Sequence, residues 1–350
     1  MIFSAKPIPA CPPLKFSDTD IDRVTSHRHL GIYLTPTLDW SIQVNHICLK
    51  ANRKLNILRS VKGLSRKTLD VLYKLTVRSV IDYGLPIFYN NLRQTEVRRL
   101  SQLQYRAGKL VCGALHYTSQ VKLEKELGWE TIGTRSDILG LSIFHKVAIN
   151  LTRPLIHKCM PQLDIFRTHI TRSNGGFIPF PYTSMSFNNS FFPYHTKLWN
   201  CVPKEHRSTG DMLVFKDSLK TLYKPVKHKH YSVGSKLGNS LVTQLRVGRS
   251  YLNSHSHSIG LAESPHCDCS DSLESPQHVL LSCPFYDSER QEMINKISQL
   301  ILGFKLKPLK LQTELLLCGV PPDDPDYLTI NRSVTLTVQH FLLTIKRFEV

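Results

Sequence analysis

A chain of 350 residues with 41% hydrophobic content is long enough for two or three domains and at least one sizeable core. Its 45 Lys and Arg against 27 Asp and Glu leave a formal +18, which points to a polyanionic partner, most simply nucleic acid. No apolar run is long enough to span a bilayer or to serve as a signal peptide, and six of the nine cysteines are scattered without framework spacing, so a membrane span and a disulfide-rich secreted scaffold are excluded and an intracellular protein, nuclear or cytoplasmic, is expected.

Residues 1–40 are rich in Pro, Asp and Thr and hold strand-like pieces such as His29-Leu-Gly-Ile-Tyr-Leu34, with Gly31 placed to ease a close backbone approach. A short β-hairpin is expected there. From residue 41 to 61 the period becomes helical, with Val44, Ile47, Ala51, Leu55 and Leu58 on one stripe and Lys50, Arg53 and Lys54 off it. Gly63 ends that helix. Ser65 caps a second, whose stripe is Leu69, Leu72, Tyr73, Val77 and Val80, closed by Gly84 and Pro86. Thr95 opens a third, with Val97, Leu100, Gln104, Ala107 and Val111 inward and Arg98, Arg99, Arg106 and Lys109 among its basic residues. Short connections predict a compact three-helix bundle over 41–116.

Further helices are predicted near 121–127 and 131–150, within a helical extension covering 117–160. Residues 161–195 turn to Pro, Ser, Asn and aromatics, so 161–236 is read as a linker region that docks through its aromatic side chains. The last segment, 237–350, carries helical patterns near 290–302 and 333–347. The fold class is therefore mostly α, with a small metal-bound module at the C-terminus.

That module is predicted from Cys267-Asp-Cys269, then His278, then Cys283. Zinc takes four soft or borderline ligands in a tetrahedron, and a pair from a tight turn plus a pair from a short helix supplies them. Ser275 and Pro276 read as N-cap and first helical residue, which puts His278 in the first turn. His278 and Cys283 are five apart, about 140° on an ideal helix, so the last turn must unwind to return Cys283 to the metal, and Pro284 fits that ending. A metal-free buried cysteine cluster is the competing reading, and His266 is a possible substitute ligand.

Charge is unevenly distributed. Residues 50–109 hold fourteen basic side chains against three acidic ones, eleven of the eighteen excess charges. A second basic stretch runs over 216–249, with Lys216, Lys220, Lys224, Lys227, Lys229, Lys236, Arg246 and Arg249 opposed only by Asp217. No helix combines a bulky aromatic face with a basic one, so nucleic acid is favoured over a membrane surface. Paired divalent ions need converging carboxylates, yet the single adjacent aspartate pair, Asp323-Asp324, lies between prolines and reads as a surface loop. There is no P-loop, no Gly-x-Ser-x-Gly elbow and no His-Glu-x-x-His.

Several segments, in order, resemble the C-terminal half of reverse transcriptases from non-LTR (LINE-type), jockey-like retrotransposons. The resemblance rests on His29-Leu-Gly-Ile-Tyr33, Glu126-Leu-Gly-Trp-Glu130, Ser190-Phe-Phe-Pro193 with Trp199-Asn200 and Pro203, Leu245-Arg-Val-Gly-Arg-Ser-Tyr-Leu-Asn253 with His257, Gly260 and Ser264-Pro265, the Cys-Cys-His-Cys segment, and Thr344-Ile-Lys-Arg-Phe348. It implies a remnant of the palm with a primer-grip-like hairpin over 1–40, a thumb over 41–116, and a parent enzyme that copies RNA into DNA at a nicked target. This sequence departs from the family in lacking the fingers, most of the palm with its catalytic aspartates, and the endonuclease. The expectation is thus a nucleic-acid-binding fragment, without polymerase activity of its own, that takes RNA or DNA, a primer-template hybrid above all, through Lys50, Arg53, Lys54, Arg98, Arg99, Arg106 and Lys109. It would hold structural zinc through Cys267, Cys269, His278 and Cys283. A part of a longer active RNA-directed DNA polymerase and a zinc-dependent protein-interaction module are the alternatives.

Overall fold

The computed structural model describes residues 1–4, 14–61, 63–149, 151–152, 154–162, 176–223, 225–269 and 272–348. The protein is mostly helical, and the chain divides into two compact units, each assembled from three stretches. The first takes Met1–Asn56, Leu75–Gln104 and Glu130–Lys224; the second takes Ile57–Lys74, Tyr105–Trp129 and Pro225–Val350. These units interleave the linear segments expected from sequence, so the helices Ser41–Ser60 and Gln94–Cys112 supply residues to both.

In the first unit, His27–His29 pairs antiparallel with Ile32–Leu34, placing Arg28 opposite Tyr33. The hairpin turns at Leu30 and Gly31, where Gly31 has φ +86° and a Cβ would lie 3.3 Å from the Tyr83 ring. Tyr83 Oη donates to the Leu30 carbonyl at 2.5 Å, and the Tyr33 N–H donates to Gln43 Oε1 at 2.9 Å, which ties the hairpin to the turn at Tyr83 and to the helix Ser41–Ser60. On the helix Ser41–Ser60, Val44, Ile47, Ala51, Leu55 and Leu58 are all buried, as the stripe predicts. The second predicted helix exists but changes its winding. It begins as Arg66–Leu72, capped by Ser65, continues as a π-helical segment over Tyr73–Arg78, and ends as Ser79–Asp82.

The core of this unit corrects the linker reading of 161–236. The helices Phe191–Cys201 and Met212–Tyr223 pack on Ile132–Ala148, and Trp199, Val202, Phe215 and Leu219 form one buried cluster with Leu141, Phe144 and Phe177. Prolines there mark helix starts: Pro193 lies in the first turn of Phe191–Cys201, and Pro203 precedes Lys204–Arg207. Asn200 exchanges two hydrogen bonds with the backbone of Phe177, at 3.0 and 2.8 Å. Of the segment, 163–175 and Lys224 lie outside the described residues.

The second unit is built on the helices Lys236–Val247, Asp287–Leu300, Leu309–Cys318 and Tyr327–Thr344. Its apolar core includes Leu241, Leu245, Val279, Ile297, Phe304, Val338 and Phe341. Beside it sits a charged network. Glu126 Oε1 accepts from Arg66 at 2.9 Å, Arg246 at 2.9 Å and Thr243 at 3.1 Å. Asp70 accepts from Trp129 at 2.8 Å, Lys74 at 2.9 Å and Lys227 at 2.5 Å, and Trp129 stacks on Tyr73 with centroids 4.3 Å apart. Gly128 ends the helix Gln120–Leu127 at φ +60°, and a Cβ there would meet Lys227 at 2.7 Å.

Among the described residues no helix is long and apolar enough to cross a membrane. Asp323 and Asp324 lie in a turn, where Asp324 Oδ1 accepts from the Asp326 N–H at 2.9 Å.

Candidate metal centre and basic cleft

A short antiparallel turn of chain supplies the first two sulfurs. His266 and Leu273 form an antiparallel bridge, the Cys267 N–H donates to Ser272 O at 2.9 Å, and the Glu274 N–H donates to Pro265 O at 3.0 Å. The other pair comes from the helix Pro276–Leu281. Ser275 Oγ caps it by accepting from the His278 N–H at 3.2 Å, so His278 lies in the first turn. At its end the N–H groups of Ser282 and Cys283 both donate to His278 O at 2.8 Å, and Cys283 has left helical geometry at φ −64°, ψ 121°. That unwinding returns the fifth residue to the side of the first.

The donor atoms of Cys267, Cys269, His278 and Cys283 all lie within 4.8 Å of one another. The Cys267 and Cys283 sulfurs are 3.7 Å apart, and Cys269 Sγ is 3.2 Å from His278 Nε2. Zinc–sulfur bonds of about 2.3 Å meeting at the tetrahedral angle put two sulfurs about 3.8 Å apart, so the cluster fits an ion of that size and geometry. Four protein donors leave no position for water, which is a structural arrangement. Burial pushes the Cys267 thiol up to about 12 and raises that of Cys283 as well, while it lowers the pKa of His278. His266 is exposed and stays outside the donor group.

Charged residues lock the cluster in place. Arg347 binds both oxygens of the buried Glu274, at 2.6 and 2.7 Å, while Glu274 also accepts from the Asn253 N–H at 2.6 Å. Asn253 Nδ2 donates to His266 O at 2.8 Å, and Arg290 donates to the Cys283 carbonyl. Nothing in the local spacing marks Glu274 or Arg347 for this role, because their pairing joins positions far apart in the chain.

The basic candidates divide. Lys50 and Lys54 line a cleft of about 360 Å³ in the first unit, together with Arg28 and Gly31 of the hairpin, Gln43, His46 and Ile47 of the same helix, and Ser79, Val80 and Tyr83 opposite. His46, Lys50 and Lys54 follow one another at intervals of four, hence on one helix face. Among the described residues, no carboxylate lines the cleft. Burial, and then the charges of Arg28 and Lys50, lower the pKa of His46. Arg28 stands 5.7 Å from the Tyr33 ring centroid, and that ring lies 5.1 Å from the ring of His46. Arg28, His46 and Tyr83 escape a reading of charge density alone, although the four-residue spacing of His46, Lys50 and Lys54 is visible in the sequence.

Arg53 is exposed outside the cleft lining, as are Arg98 and Arg99 on Gln94–Cys112. Arg106 and Lys109 are half-buried and belong to the second unit, where Lys109 Nζ lies 4.7 Å from the Tyr105 ring centroid. Part of the charge excess has another use. Arg66 and Arg78, among the fourteen, are buried against Glu126 and Glu130, and Arg246, in the second stretch, joins Arg66 on Glu126. Buried carboxylates need cationic partners, so these three charges are taken up inside the protein rather than left for a polyanion.

Compared with protein-family models, curated proteins and solved structures, the chain matches none.

Proposed function

We propose that this protein holds nucleic acid, as a fragment resembling the thumb and cysteine-rich end of a non-LTR retrotransposon reverse transcriptase, with a primer-template hybrid of RNA and DNA as its ligand. One observation carries the reading: Arg28, Lys50 and Lys54 converge with His46 and Tyr83 on a cleft that, among the described residues, no carboxylate lines. Such a cleft attracts phosphates and presents aromatic edges for contact with sugar or base. The hairpin that supplies Arg28 is the one that resembles a primer grip. Phosphate contacts of this kind give affinity with little sequence preference. In the same reading, zinc occupies the Cys267, Cys269, His278 and Cys283 cluster and stabilises the fold around it without taking part in chemistry. Arg53, Arg98 and Arg99 extend the phosphate contacts beyond the cleft.

Photocrosslinking to a labelled RNA–DNA hybrid, mapped by mass spectrometry, tests the assignment. Crosslinks are expected on peptides spanning residues 28–54 and 79–83. Crosslinks confined to other parts of the chain, or none above a polyglutamate-competed background, would count against it.

A further inference from the structure

A second groove, of about 310 Å³, lies in the first unit between the helices Ile132–Ala148 and Met212–Tyr223. One bank presents Leu139, Ile143 and Lys146, spaced four and three apart and so on one face. The other presents Lys216 and Lys220, one turn apart. Glu130 and Arg135 also line it, but each is matched elsewhere: Glu130 lies 3.5 Å from Arg78, and Arg135 binds Asp82 at 2.7 Å. Lys220 meets Asp217 at 2.6 Å in a pair exposed on both sides, which yields readily to another carboxylate. Among the described residues, neither Lys146 nor Lys216 has a carboxylate partner.

The groove thus offers an apolar strip flanked by ammonium groups. Ile143 keeps 44% of its surface exposed, whereas Leu141, Phe144 and Val147 of the same helix are buried. We propose that this groove docks an acidic amphipathic helix of a partner protein. Apolar side chains spaced three and four apart would cover Leu139 and Ile143, and flanking Asp or Glu would meet Lys146, Lys216 and Lys220. The length from Leu139 to Lys146 is about 10 Å, two turns of a helix, which sets the size of the recognised segment. A sugar-phosphate backbone would satisfy the lysines but leave the apolar strip without a partner. That favours peptide over nucleic acid here, and the site stands apart from the cleft proposed above.

The test uses the full chain and a fluorescein-labelled synthetic peptide with leucines at i, i+3, i+4 and i+7 and glutamates elsewhere, followed by anisotropy. Saturable binding is expected, and a peptide with its leucines replaced by serine should lose it. Ile143→Ser should weaken binding about tenfold, and Lys146→Ala with Lys216→Ala should weaken it about fivefold and flatten its salt dependence. Thermal melts of each variant show whether the fold is retained, and the peptide substitutions read the site on the unaltered protein. Absence of saturable binding, or equal binding of the serine peptide, would overturn the proposal. So would a labelled oligonucleotide that loses affinity in these groove variants while the peptide does not bind, which would assign the groove to nucleic acid.

Discussion

Glu126 Oε1 accepts three hydrogen bonds, two of them from guanidinium groups, and both Arg66 and Glu126 are almost wholly removed from solvent. A buried pair of this kind adds little net stability over an apolar replacement, but removing one partner strands the other's charge. Glu126→Gln should therefore destabilise the protein by about 3–5 kcal/mol, read from urea unfolding. A loss below about 1 kcal/mol would mean that Arg66 and Arg246 are compensated without it. The same residue shows how far the sequence can be read. Glu126 is visible in the sequence as part of a helical pattern, yet its partners come from positions 66, 243 and 246, and no local period connects them. Density of like charge is visible in a sequence; which of those charges are neutralised inside depends on tertiary pairing.

At the scale of elements, periodicity found the longest helices, Ser41–Ser60, Gln94–Cys112, Ile132–Ala148 and Tyr327–Thr344, and missed Phe191–Cys201, Met212–Tyr223, Lys236–Val247 and Leu309–Cys318. Ser65 and Ser275 cap where capping chemistry places them, and the buried stripe of Ser41–Ser60 matches its apolar spacing. The helix Lys236–Val247 is harder to read, because Asn239, Thr243 and Gln244 interrupt its buried face with polar side chains. The helix Phe191–Cys201 hides behind Pro193, an acceptable first-turn residue that resembles a breaker. The Cys-His element was legible in its four donors and its unwound end, while its supports, Glu274, Arg347 and Arg290, were not. Buried thiols whose protons are held tightly must release them to a metal, so zinc uptake by the full chain should weaken as pH falls. Metal analysis should give one zinc per chain, and chelation or Cys283→Ser should lower the melting temperature by more than about 5 °C. A metal-free protein with an unchanged melt after chelation would leave the cluster as packing alone.

Across the whole molecule, buried histidines contribute to the response to acid, His195 and His230 above all, since burial lowers the pKa of each to about 4. His195 is fully buried, its Nδ1 sits 2.7 Å from the Phe191 carbonyl, and a Cβ on Gly140 would lie 1.8 Å from its Nε2. Burial pushes its pKa down to about 4, against the opposing pull of that carbonyl. Between about pH 6.5 and 4 the unfolded chain takes up a proton on this residue that the folded chain refuses, so stability is full above the window and is lost as pH falls through it. The contribution is on the order of 3 kcal/mol. His195→Gln should flatten the fall of urea midpoint with pH across that window, and an unchanged slope would place the acid response elsewhere.

The central claim, that the cleft at Arg28, Lys50 and Lys54 binds phosphates, is tested most directly by the salt dependence of hybrid binding by the full chain. Three neutralised phosphates in the cleft correspond to a log-log slope of about −2 to −3, with further exposed arginines adding to it. Replacing Arg28, Lys50 and Lys54 together with Ala should flatten the measured slope by about two to three units and leave the melting temperature unchanged, since Arg28 and Lys50 are exposed and Lys54 is half-buried on the helix surface. A slope that stays the same in the triple variant, with the fold retained, would contradict the account.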